Sequence, residues 1–203
     1  MTIVNRVDVL LFDGFELLDA FGPVELFSLA DGFECVFHAV TPGPVRSSQG
    51  VEVVAPNRLS ALRDPDILLV PGGKGTRWLV SNGDFLDELV RVAALASMVT
   101  SVCTGSALLA AAGILDGHRA TSNKMAFEWA TSFGEEIDWD ARSRWVEDGR
   151  VWTSSGISAG IDMAYALIRN LAGDTVAAEA ARRGELIVQT NADADPFVAD
   201  DHS

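Results

Sequence analysis

A thiol, a carboxylate and a glycine turn are the groups in this sequence whose types and placement suggest chemistry. Cys103 lies within Met98-Val-Thr-Ser-Val-Cys-Thr-Gly-Ser-Ala-Leu-Leu-Ala-Ala-Ala-Gly113, where an apolar, β-branched run meets a helix-forming run across small residues. That order reads as strand, sharp turn, helix, with the thiol at the bend. The free N–H groups at the helix start would face the sulfur, and the helix's positive end would favour thiolate over thiol. A buried structural cysteine is the competing reading of the residue taken alone.

Two further segments add polar groups. Asp13-Gly-Phe-Glu-Leu-Leu-Asp19 leads from a first apolar run to Gly22-Pro23, so Asp19 falls in a connection above a sheet edge. A buried carboxylate there would have a raised pKa and could act as acid or base near neutrality; the alternative is an N-cap for a helix beginning at Pro23. Pro71-Gly72-Gly73 directly follows an apolar strand, and its unhindered N–H groups at Gly72 and Gly73 could form half of an oxyanion hole, with the N–H and hydroxyl of Thr104 supplying more. A plain tight turn explains the same residues.

The elements that must position these groups alternate. Strands are expected at 7–12, 33–40, 66–70 and 98–102, with helices at 23–30, 84–95, 104–112, 125–133, 158–168 and 174–188. A small hairpin at 44–54 and a second at 144–153, the latter turning at Asp148-Gly149, decorate this core. Alternation of this kind predicts an α/β three-layer sandwich of the flavodoxin-like type: a mostly parallel sheet covered on both faces, with sites at the strands' carboxyl ends. Residues 1–190 form one domain in this reading, and 191–203 an acidic tail expected to be loop with disordered final residues.

Composition narrows the function. The chain has 203 residues, 48% hydrophobic and 22% charged, enough for one full core. Its formal charge of −14 disfavours nucleic-acid or anionic-membrane partners. No apolar run approaches the roughly 20 residues of a membrane helix, no basic leader is evident, and a cytoplasmic location is expected. Two cysteines and three histidines supply neither a disulfide framework nor a zinc site, so no metal or organic cofactor is expected. Cys35, in Phe33-Glu-Cys-Val-Phe-His-Ala-Val40, reads as strand packing. Glu16 and Glu25 could lie near the site, with a solvent-facing helix position the preferred reading of each; Arg182 and Arg183 read as a solvated helix face, and Trp129, Trp139, Trp145 and Trp152 as core or pocket wall. Asp162 reads as a stabiliser of the helix start near Gly160, or as a group facing another subunit.

Together, Asp19-x-x-Gly-Pro23, Pro71-Gly-Gly73, Ser101-Val-Cys-Thr-Gly-Ser106, Gly113-Ile-Leu-Asp-Gly117 and Gly156-Ile-Ser-Ala-Gly-Ile-Asp162 make the chain resemble the ThiJ/PfpI superfamily along nearly its whole length. Within it the pattern is most similar to isocyanide hydratases and to the amidotransferase-like domains of AraC-type regulators. The resemblance implies Cys103 as nucleophile, Asp19 as its carboxylate partner, Thr104 as a hydrogen-bonding neighbour and Gly73 as a backbone donor, in a homodimer acting on a small molecule. One position departs from it. Many relatives carry Thr-His after the cysteine, whereas here Ala120-Thr-Ser-Asn-Lys124 puts Asn123 at the histidine's place, and asparagine cannot accept a proton from a thiol. Asn123 would orient a polar substrate or cap the helix at Met125. The leading expectation is therefore isonitrile hydration to an N-substituted formamide. A glyoxalase- or deglycase-like activity on 2-oxoaldehydes and a non-catalytic oxidative sensor or ligand-binding domain are the alternatives. The DNA-binding helices of the regulators are not expected in this chain.

Overall fold

The computed structural model describes residues 5–198. Along the chain the elements are β1 (Asn5–Leu10), α1 (Leu17–Leu29), β2 (Phe33–Ala39), β3 (Gly43–Arg46), β4 (Glu52–Ala55), β5 (Asn57–Arg58), β6 (Ile67–Val70), α2 (Thr76–Leu79), α3 (Gly83–Leu95), β7 (Met98–Val102), α4 (Gly105–Ala111), β8 (Arg119–Ala120), α5 (Phe127–Ala130), β9 (Asp138–Trp139), β10 (Trp145–Asp148), β11 (Val151–Ser154), α6 (Ala159–Ala172) and α7 (Asp174–Arg183). Seven strands form the central sheet in the order β10-β11-β7-β6-β1-β2-β5, parallel except for β10. β6 and β7 are buried along nearly their whole length; β6 is accordingly a continuous apolar run, and in β7 the buried Thr100 hydroxyl is satisfied by the Leu68 carbonyl. Helices α1, α6 and α7 pack together, as do α2, α3 and α4, giving the expected three-layer α/β sandwich.

The topology fixes where a site can form. From β1 the chain moves outward to β2, whereas from β6 it moves the opposite way to β7, so the order reverses between the neighbouring strands β1 and β6. Crevices at the carboxyl ends of strands open at such a switch point. The segments leaving β1, β6, β7 and β11 all end there.

Several boundaries differ from the sequence expectation. Helix α1 begins at Leu17, six residues before Pro23, and carries Pro23 in its interior. Proline lacks the N–H that Asp19's carbonyl would accept, so local propensity argues for a break. Tertiary packing overrides it: a Cβ on Gly22 would lie 2.8 Å from Cγ1 of Ile161, so the missing side chain lets α1 lie tightly on α6. The helix expected at 125–133 is a 3₁₀ turn at Lys124–Ala126 followed by the single turn of α5. Helix α7 stops at Arg183 rather than 188, because Glu185 turns the chain at φ 51°. Asp148 closes β10 and pairs with Val151, so the turn residues are Gly149 and Arg150. Residues 191–198 lack regular secondary structure, yet Asp195 is buried against Arg144, 3.6 Å away; residues 199–203, expected to be disordered, lie outside the described residues.

Candidate active site

Cys103 occupies the bend between β7 and α4 with φ 58°, in the left-handed region that non-glycine residues seldom adopt. The surroundings over-determine that conformation. Its N–H donates to Ser154 O at 3.1 Å, and its carbonyl accepts from the hydroxyls of Ser106 and Ser122, both at 3.1 Å. Both serines are buried, so the backbone of the bend is clamped from two sides. Strain held this way is characteristic of a residue positioned for chemistry.

Asp19 lies in the first turn of α1, not ahead of it, and is fully buried. Its Oδ2 accepts the Gly72 N–H at 3.0 Å. Its Oδ1 is buried without a conventional partner, and the Cys103 thiol is the side chain that couples to the carboxyl. Burial is the main force pushing the Asp19 pKa up to about 8; the Gly72 N–H pulls against it, Glu16's charge adds to it, and the thiol lowers it slightly.

The Cys103 thiol is likewise pushed up, chiefly by burial and then by Asp19's negative charge, while the Thr104 N–H and Asn123 draw it down. This corrects the expectation of a depressed thiol. The backbone donor at the start of α4 acts in the expected direction, but desolvation outweighs it. Two buried acids in contact each penalise the other's charge, so they titrate as a unit that gains its first negative charge only as pH rises through about 8.

The glycine turn has a role other than the one expected. Gly72 N–H is taken by Asp19, and Gly73 N–H donates to Thr104 Oγ1 at 3.0 Å, so neither is a free oxyanion donor in this arrangement. They fix the carboxylate and the threonine instead. Thr104 Oγ1 also accepts from the Thr76 hydroxyl at 3.2 Å. Gly73 must be glycine, because at φ 122° a Cβ would lie 2.4 Å from both Glu16 N and Gly14 O.

Asn123 takes the capping role considered for it, and its amide nitrogen also faces the thiol. Its Oδ1 accepts the Ala126 N–H at 2.9 Å and so caps the 3₁₀ turn. That bond requires the oxygen, which leaves Nδ2 facing Cys103. Gly156, just beyond β11, completes the enclosure: a Cβ there would lie 2.3 Å from Asn123 Nδ2 and 2.7 Å from the sulfur. The resulting cavity, about 220 Å³, has Cys103, Thr104 and Asn123 within and Ile157 and Glu16 at its walls.

Among the described residues no histidine lines it. His38 pairs with Asp8 at 2.8 Å and His118 with Asp148 at 3.0 Å, each away from the thiol, and His202 lies outside the described residues.

The sequence reading missed Lys74 and Arg77, which also line the cavity, and the clamping serines. Exposed cations resemble any solvated surface, and buried serines resemble small packing residues, so neither gave a signal. Of the four tryptophans considered, Trp145 and Trp152 are core, whereas Trp129 lies under the Arg77 guanidinium. Glu16, read either as solvent-facing or as near the site, is the residue preceding α1, lines the cavity and accepts from the Gln49 amide. Asp162 neither caps α6 nor sits at the surface: it is buried, accepting from Arg144 Nε at 2.6 Å and from the Gln189 N–H at 2.7 Å. Cys35 is half-buried on β2, and burial raises its pKa to about 12.

Comparison with known proteins identifies similar chains. The DJ-1/PfpI family model matches residues 5–170. Isonitrile hydratase of Pseudomonas putida is 36% identical over 170 residues, covering 83% of this chain and 72% of that protein. The HTH-type transcriptional regulator CdhR of Pseudomonas aeruginosa is 27% identical over 175 residues, which span 84% of this chain but 52% of the regulator. A ThiJ/PfpI family protein from Pseudomonas syringae superposes with TM-score 0.79 at 29% identity, covering 96% of this chain and 78% of that one. Drosophila melanogaster DJ-1beta superposes with TM-score 0.80 at 19% identity, covering 91% and 100%, and shares the fold. No described helix is long and apolar enough to cross a membrane.

Proposed function

This chain belongs to the DJ-1/PfpI family, and from that premise we propose that it hydrates isonitriles to N-substituted formamides through a covalent Cys103 intermediate. The observation that carries the reading is the buried Cys103–Asp19 pair, with Asp19 raised to about 8, behind a cavity that Cys103 lines and that no described histidine lines. Once it has lost one proton the pair is an Asp19 carboxylate beside the Cys103 thiol, and the carboxylate takes the thiol's proton as sulfur attacks, giving a thiolate and a carboxylic acid.

The chemistry follows from that single proton. The thiolate attacks the terminal isonitrile carbon, and the Asp19 carboxyl gives its proton to the same carbon, forming a C–S and a C–H bond and leaving a thioimidate and a carboxylate. Asp19 then takes a proton from water as its oxygen adds to the carbon, and the other water proton finishes on nitrogen. Collapse to the carbonyl breaks the C–S bond, releasing the formamide and restoring thiolate and carboxylic acid. The Thr104 N–H and Asn123 Nδ2 stabilise negative charge on sulfur at the start and the end. Asn123 has no basic lone pair with which to serve a Cys–His mechanism, which favours this route over glyoxalase-type proton abstraction.

The test is formamide formation from an alkyl isocyanide by wild type, Cys103→Ala and Asp19→Asn. Turnover by wild type alone is expected; equal, background rates from all three would remove the proposal. Assembly as a homodimer belongs to the same reading and is checked by light scattering.

A further inference from the structure

Lys74 and Arg77 stand at the mouth of the Cys103 cavity, one just before α2 and one within it. Seven arginines of this chain form ion pairs with carboxylates, but among the described residues neither Lys74 nor Arg77 does. In a chain of net charge −14, two cations without carboxylate partners converging on one small cavity call for an anion. The one acid in the lining, Glu16, accepts from the Gln49 amide and makes no ion pair with either cation among the described residues, so the lining sets two positive charges against one negative.

Arg77 is also held in place. Its guanidinium carbon lies over the Trp129 ring, 3.6 Å from the centroid, a cation–π contact that restrains the guanidinium without using its N–H groups on a carboxylate. Trp129 follows the turn that aims Asn123 at the thiol, so one segment orients both the reactive end and the mouth of the cavity. At about 220 Å³ the cavity is below the usual range for drug-sized ligands, which favours a short substrate.

We infer that the substrate is a short isocyanide bearing a carboxylate, its isonitrile carbon at Cys103 and its carboxylate held by Lys74 and Arg77. This rests on the hydratase reading, so recognition and chemistry are tested separately.

For chemistry, wild-type kcat/KM is compared on isocyanoacetate and on its neutral methyl ester. A preference of about tenfold or more for the carboxylate is expected, as for one or two partly exposed charge contacts. In Arg77→Gln and Lys74→Gln the ratio should fall toward one, and Arg77→Lys should retain part of it. For recognition, N-formylglycine, the product of isocyanoacetate hydration, is titrated into the Cys103→Ala protein by calorimetry beside its methyl ester. Tighter binding of the acid, lost in the double variants with Arg77→Gln, supports the inference even where no isocyanide is turned over. Hydration of both isocyanides with no preference, or equal binding of acid and ester, overturns it while leaving the hydratase reading intact.

Discussion

Gly72 donates its backbone N–H to Oδ2 of Asp19 at 3.0 Å, and that bond decides which carboxyl oxygen remains to meet Cys103. The glycine turn after β6 and the first turn of α1 thereby set the acid, while the clamped bend after β7 sets the nucleophile. Four neighbouring strand ends contribute to one cavity, and the proton held between Asp19 and Cys103 behind it is what the proposed chemistry uses.

The pH dependence follows from the sign of the Asp19 shift. Below about 8 Asp19 keeps its proton and cannot take the thiol's; as pH rises through about 8 it ionises and becomes the base that activates Cys103. The second proton leaves only at much higher pH, because the thiol is itself pushed up. A kcat/KM profile should therefore show an acid limb with an apparent pKa near 8, and activity that is flat from pH 5 to 9 would contradict it.

Stability should move oppositely in Asp19→Asn. A carboxyl raised from 3.8 to about 8 destabilises the folded state increasingly as pH climbs between those values. Asparagine keeps an acceptor for the Gly72 N–H and carries no charge. The melting temperature of the variant should gain on wild type between pH 5 and 8.5, by an amount on the order of several degrees, while turnover disappears.

Asn123 allows its two roles to be separated. Asn123→Asp keeps the acceptor for the Ala126 N–H but places a negative charge against the sulfur, so activity should fall with little loss of melting temperature. Asn123→Ala removes cap and donor together and should cost about 1 kcal/mol in stability as well. Denaturant melts beside initial rates distinguish the pair.

Gly156→Ala tests the closeness of the cavity wall. A methyl group 2.7 Å from the sulfur and 2.3 Å from Asn123 Nδ2 must displace one or both. Turnover should drop sharply with a destabilisation of about 1–3 kcal/mol, as for other overpacked sites. Wild-type kinetics in this variant would mean that the thiol does not react in the geometry described.

Thr104→Val leaves the Gly73 N–H without its acceptor, and Thr104→Ser restores it. The valine variant should lose about 1–3 kcal/mol and the serine variant much less, read from chemical denaturation.

Local patterns carried the strand-turn-helix around Cys103, because a buried parallel strand and an alanine-rich helix have distinct signatures that need no distant partner. Asp19 was visible as a candidate, yet its place inside α1 was not: Gly22 and Pro23 signal a break, and only the close approach of Ile161 explains why the helix runs through them. The same limit applies to the glycine turn. Its N–H groups were evident from sequence, but their capture by Asp19 and Thr104 depends on segments 53 and 31 residues away. Lys74 and Arg77 became significant only when the fold brought Trp129 beneath one of them.

The central claim is that Cys103 itself bonds to the isonitrile carbon. Wild-type protein turning over an isocyanide, quenched with borohydride and mapped by mass spectrometry, should carry on the Cys103 peptide one whole isocyanide molecule plus the two hydrogens of reduction, with nothing on Cys35. An unmodified Cys103 while formamide accumulates, or formamide forming equally fast with Cys103→Ala, would contradict it.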